Sequence, residues 1–284
     1  MNNTAVEERR KIVLEELYCR YNTRAYVEPD PIQFLYRYDD LRDREIVGLI
    51  SSSLAYGRVS QIIKAVKAVI DTMYPSPYRF IRDESDSSLS DRFSRFRYRF
   101  TSGRELAALL HGIKRAIEKW GSLRRCFSVG MDDHDDTVEA ALCRFSESLG
   151  EDGCSDARNS LLPRPERGSA CKRLNLFLRW MVRRDDVDPG GWDEVPTSKL
   201  IIPLDTHMHR ICLACEITNR KQADMPTALE ITRFFRGLYP DDPVRYDFPL
   251  SRLGIRDDTD VKAFLQAWGR MGQFYNLFQE DMSL

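Results

Sequence analysis

Apolar residues fall at spacings of three and four along most of this chain: Ile12, Val13, Leu17 and Tyr21; Ile46, Val47, Leu49, Ile50 and Leu54; Leu106, Leu109, Leu110, Ile113 and Ile117; Val138, Ala141, Leu142 and Phe145. That is the period of the buried face of an α-helix, where three or four residues make one turn. No βαβ alternation, tandem repeat or glycine-rich phosphate loop interrupts the pattern, so the chain is expected to be all-α. Helices are predicted over 7–21, 43–56, 59–73, 102–120, 123–127, 132–149, 169–184, 205–217, 226–238, 241–253 and 261–279. The stretch Asp83–Asp91, with four Ser and four acids, reads as a polar loop, as do Gly150–Arg167 and Asp185–Ser198.

A chain of 284 residues can bury a large core and form one domain or two intimate ones. No run approaches the roughly 18 apolar residues of a membrane helix, and the first residues lack a signal-peptide core. No membrane partner and a cytoplasmic location are therefore expected. Seven cysteines at irregular spacings suit reduced thiols better than a disulfide framework.

The net charge of −1 hides segregation. Ten Lys/Arg against two Glu lie from Arg92 to Arg125, and nine Asp/Glu against two Arg lie from Met131 to Asn159. From Leu161 to Arg184 seven basic residues face Glu166 alone. Solvated helix faces explain such blocks, and so does a divided surface that meets phosphate. Arg92–Phe100 interleaves aromatics with arginines, which suits base stacking and phosphate contact by Arg97 and Arg99. A short ordered arm with its rings packed inward fits the same residues.

Gly168–Arg210 concentrates the chemistry. Lys172 enters an apolar helix at its start, and Asp205 opens the next, so the two helix N-termini could face one cavity. An ordinary lysine, with a pKa of about 10.4, is almost wholly protonated near neutral pH, whereas nucleophilic attack needs the free amine. Arg164, Arg167, Arg173 and the partial positive charge of the helix N-terminus all disfavour the charged form of Lys172. The same residues also suit a surface that holds a phosphate. Asp205 reads both as a helix cap and as an ionised carboxylate able to stabilise positive charge on a sugar. His207 and His209 fall on different faces of one helix, one expected in the core and one exposed. His209, Cys212 and Cys215 lack the second pair a zinc site needs, so no metal is expected.

Pro203-Leu-Asp-Thr-His-Met-His-Arg210 resembles the Val-Asp-Thr-His-x-x-Arg signature of the helix-hairpin-helix DNA glycosylases, the superfamily of endonuclease III and the 8-oxoguanine glycosylases. Leu162-Pro163 and Gly168-Ser-Ala-Cys-Lys172 resemble its hairpin and Schiff-base lysine, although Gly168 stands four positions before Lys172 where the superfamily has two. Over nearly its full length the chain is similar to a bacterial family named only as a domain of unknown function. That likeness rests on Leu54-Ala-Tyr-Gly-Arg58, Lys172–Arg183, Pro203–His207 and Tyr246-Asp-Phe248.

The resemblance implies a two-lobed, glycosylase-like all-α fold, with 1–90 and 240–284 in one lobe and 91–239 in the other. It implies a duplex DNA partner bearing a damaged base, with Asp205 stabilising the oxocarbenium ion and Lys172 attacking the sugar to give a Schiff base. DNA contacts are expected from Arg58, Arg97, Arg99, Arg164, Arg167, Arg173, Arg179, His207 and Arg210. No cofactor is expected, since Cys212 and Cys215 alone cannot ligate the four-cysteine cluster of endonuclease III. Two other readings stay open: a DNA- or RNA-binding protein that keeps the fold without the chemistry, and a helical protein-interaction module.

Overall fold

The computed structural model describes residues 3–150, 159–165, 168–255 and 259–269, and it is mostly helical. Thirteen α-helices run in order among the described residues: α1 (Asn3–Tyr21), α2 (Leu41–Ser53), α3 (Val59–Thr72), α4 (Pro77–Asp83), α5 (Asp86–Phe93), α6 (Gly103–Trp120), α7 (Leu123–Ser128), α8 (Glu139–Gly150), α9 (Lys172–Val182), α10 (Thr206–Ala214), α11 (Met225–Leu238), α12 (Asp247–Ile255) and α13 (Val261–Trp268). The strand pair β1 (Arg97–Tyr98) and β2 (Thr101–Ser102) forms one antiparallel hairpin, with Arg97 opposite Ser102 and Tyr98 opposite Thr101. Buried apolar residues from Leu14 to Trp268 form one continuous core. None of the described helices is long and apolar enough to cross a membrane.

Local chemistry sets the helix ends. Ser102 and Glu105 make a reciprocal capping box at the start of α6, and Gly121 ends it in the left-handed conformation at φ 83°. The expected polar loop at 83–91 is corrected to a helix, α5. Ser85 accepts the amide of Ser88 at 3.2 Å, and Leu89 and Phe93, four apart, are buried against the core. The serines that suggested a loop are cap chemistry. The helix expected from Asp132 begins only at Glu139, since Asp132 turns the chain by accepting the amide of His134 at 2.9 Å. Similarly, α12 starts at Asp247 rather than Asp241, because the Asp242 carboxylate receives Arg183 at 2.9 Å instead of capping a helix. The expected continuation of α13 to Gln279 lies outside the described residues.

Two contacts position the site. Helix α9 lies across α2, where a Cβ on Gly48 would stand 3.3 Å from both Phe177 and Met181, so the missing side chain sets the closeness of the pair. Helix α10 packs on α12, which in turn packs on α1.

Candidate functional site

Helix α9 begins unusually. Its cap residue is Cys171, buried and in the left-handed region at φ 47°, a conformation that costs a non-glycine residue on the order of 1 kcal/mol. The turn directs Lys172 and Arg173 toward the end of α2, where unpaired helix carbonyls collect. Lys172 donates to the carbonyl of Ala55 at 3.4 Å, and Arg173 donates to that of Ser53 at 2.8 Å and to that of Ser160.

Asp205 caps α10 by accepting the amide of Met208 at 2.8 Å, and its other carboxylate oxygen lies 3.4 Å from the Lys172 ammonium. The pair is mostly sheltered, with side-chain exposures of 33% for Lys172 and 22% for Asp205. Burial pushes the Asp205 carboxyl up, but Lys172, the Met208 amide and the neighbouring His207 outweigh it and leave it below the usual carboxylate range. Asp205 is therefore ionised at neutral pH.

Both residues line one cleft of about 710 Å³. Its walls come from the connection between α2 and α3 (Ala55, Tyr56, Gly57, Arg58), the starts of α9 and α10, and α12 (Asp247, Ser251, Arg252). Arg179 and Asp247, which also line the cleft, belong to a buried ion network. Arg179 pairs with Asp188 at 3.2 Å and with Asp247, while Arg183 pairs with Asp188, with Asp185 at 2.8 Å and with Asp242 at 2.9 Å. Burial pushes Asp247 up to about 6, against the pull of Arg179 and with the help of nearby Asp205 and Asp188. Also in the lining, the buried Arg252 pairs with Asp30 at 2.8 Å and covers the face of Phe248.

The other expected DNA contacts divide. Arg58 and His207 line the cleft, Arg58 being exposed. Arg164 is exposed beside Pro163, a lining residue. Arg97 and Arg99 are exposed on the hairpin, and Arg210 is half-buried on α10. Arg173 reaches the cleft, yet its guanidinium is committed to backbone carbonyls and lies 5.3 Å from the Tyr56 ring centre. Arg179 is corrected from a phosphate contact to a buried ion-pair partner: it is 3% exposed, and its hydrogen bonds go to Asp188 and Asp247. Arg167 lies outside the described residues. His209 is buried, and its Nε2 contacts the carbonyl oxygen of Arg220 at 2.8 Å, while His207 is the more open of the two. Among the described residues no group of three or more His, Cys, Asp or Glu is arranged to hold a metal ion.

Sequence reasoning missed the carbonyls of Ser53 and Ala55, the carboxylates of Asp30 and Asp247, and Arg252. The motifs Leu54–Arg58 and Tyr246–Phe248 were the available signal for this wall, since Ala55–Arg58 and Asp247 line the cleft.

The chain belongs to the family described as "Protein of unknown function (DUF2400)", whose model matches residues 30–256, a span that includes every cleft residue named above. No curated protein and no solved structure matches the chain.

Proposed function

We propose that this protein recognises damaged bases in DNA and excises them by a lysine-dependent glycosylase and lyase reaction. The observation that carries the reading is the meeting of Lys172 and Asp205, distant in sequence, 3.4 Å apart at two helix N-termini in one cleft. The cleft volume of about 710 Å³ falls within the roughly 300–1,000 Å³ of small-ligand sites, enough for an extruded nucleotide. Its lining residues come from 30–62, 163–223 and 247–252, so the cleft draws on both of the sequence segments that the resemblance assigns to different lobes.

In this reading the damaged base leaves the stack and enters the cleft. As the bond from C1′ to the base nitrogen lengthens, positive charge develops on the sugar, and the ionised Asp205 stabilises it. Lys172, once its ammonium has lost a proton, attacks C1′ while the base departs with the bonding electron pair and takes up a proton. The attached nitrogen, then carrying two protons and a positive charge, gives up one of them. Its lone pair forms the C1′=N bond as the C1′–O4′ bond breaks and O4′ takes up a proton, which opens the sugar ring and leaves a protonated imine between Lys172 and C1′.

A second reading, nucleic-acid binding without chemistry, draws support from the same pair, since Lys172 is already engaged by Asp205 and the Ala55 carbonyl. Borohydride trapping on an oligonucleotide with an abasic site separates the two. Wild type is expected to give a covalent adduct, and Lys172→Gln none while still binding the duplex. Binding without any wild-type adduct selects the second reading. On either reading, affinity for a 20-base-pair duplex should fall with salt, with a log–log slope of about −0.9 per phosphate neutralised. No binding at low salt, or a flat response, leaves the helical interaction module.

A further inference from the structure

The hairpin carries an aromatic residue that the excision reading leaves unused. Phe100 is 66% exposed at the hairpin tip, among few large apolar side chains so placed. One face of its ring is covered by Tyr56, with centroids 4.8 Å apart and planes 20° from parallel. Tyr56 in turn lines the cleft, so an open aromatic face begins one ring beyond the cleft wall.

The arrangement is held rigidly. The Tyr56 hydroxyl lies 2.6 Å from the Thr101 hydroxyl and 3.2 Å from the carbonyl of Tyr98, while the Tyr98 hydroxyl donates back to the carbonyl of Tyr56. The tip turns through Arg99, a non-glycine residue at φ 50°. That strained conformation sits next to the one ring the hairpin leaves in solvent. The Arg99 side chain then lies across Gly57, where a Cβ would come within 2.6 Å of its guanidinium and 2.9 Å of its Cδ. Gly57 itself is at φ 90°, a backbone conformation that favours glycine. Arg97, Arg99 and Arg58 are all exposed near this tip. The adjacent acid, Glu105, is occupied by the Ser102 and Ser160 amides.

We propose that Phe100, backed by Tyr56, is a stacking platform for one unpaired nucleobase at the rim of the cleft, with Arg58, Arg97 and Arg99 meeting the flanking phosphates. The proposal rests on the nucleic-acid reading above and names a base-contacting residue for it. A flat ring with one face seated and one free, framed by guanidinium groups, matches a base linked to phosphates on both sides. An aliphatic or acidic partner would match only half of these features.

The test uses the full chain, a 20-nucleotide single strand, the fully paired duplex, and a duplex with one 2-aminopurine opposite an abasic site. Phe100→Leu keeps the apolar bulk and removes the π face, and at an exposed position it should leave the melting temperature unchanged. It is expected to weaken single-strand binding by about 5- to 150-fold, the range for losing one stacked base, and to change paired-duplex binding less than about twofold. Wild type should quench the 2-aminopurine, Phe100→Leu should not, and Phe100→Trp should restore both signals. A wild type that binds all three probes, with Phe100→Leu equal to it in affinity and quenching, overturns the platform and leaves the parent reading standing. A wild type that binds none of them overturns both.

Discussion

Replacing Asp205 by Asn tests the site most directly, because on the proposed mechanism the carboxylate has three separable tasks. The first is capping α10, and Asn accepts the Met208 amide as well as Asp does, so the helix should lose a few tenths of a kcal/mol at most. The second is the pair with Lys172, one-third exposed on the lysine side, for which about 0.2–1 kcal/mol is the expected range. Stability should therefore fall by about 1 kcal/mol, a Tm shift of about 2–4 °C for a chain of this size. The third is stabilising positive charge on the sugar, and losing one preorganised group of this kind costs about 2.7–4 kcal/mol, or about 10²- to 10³-fold in rate. Single-turnover excision and thermal melting, read on the same preparation, should thus separate widely. The pH dependence carries a matching sign. The folded carboxyl lies below its ordinary value of 3.8, so the stability it adds is present above that value and is lost as the pH falls through the folded one. Wild type and Asp205→Asn should converge in stability at strongly acid pH. A variant that melts more than about 10 °C lower would make Asp205 a structural residue, and one that excises at the wild-type rate would refute its role in the chemistry.

Two further perturbations probe the scaffold. Glu45 is buried, accepts the amides of Leu123 at 2.7 Å and Arg124 at 3.0 Å, and is pushed by burial from 4.5 to about 7. The folded chain therefore binds this proton more tightly than the unfolded one. Stability should fall as the pH rises from 4.5 to 7, by up to about 3 kcal/mol from this group. Urea midpoints across that window should decline for wild type and be flatter for Glu45→Gln, and parallel curves would contradict the assignment. Arg179→Met leaves Asp188 and Asp247 without their shared cation and should cost about 3–5 kcal/mol in urea unfolding, with Asp247→Leu in the same chain restoring part of it. A loss under about 1 kcal/mol would show that the network is not what holds α9 to α12.

How much of this could be read from residues alone depended on distance along the chain. Helices with a clean apolar stripe and a cap, such as α6 with Ser102 and Gly121, were legible because period and cap chemistry are local. Lys172 and Asp205 could be placed together because each opens a helix, a property its own neighbours announce. Arg179 could not be placed. On a helix with Arg173 and Arg183 it reads as one more cation for phosphate, and only the arrival of Asp188 from a loop and Asp247 from α12 makes it an interior residue. The carbonyls of Ser53 and Ala55 leave no trace in residue type at all, since every residue has one. Phe100 was legible as an aromatic among arginines, but its outward turn follows from the backbone at Arg99.

The packing of α1 has a consequence for synthesis. Its chief helix partners are α12 and α13, and its polar contacts go to late residues: Tyr18 and Asn22 to Asp185, Glu15 to Arg245, and Arg9 to the carbonyl of Ala267. At about 5–20 residues per second, the ribosome delivers those partners roughly 10–50 s after α1 itself. For that interval the stripe of Leu14, Leu17 and Tyr21 has little to bury against, and the nascent chain offers it to whatever else is near. A chaperone that binds short apolar helices should therefore be found on chains stalled before Asp247 and be absent from chains released after Trp268.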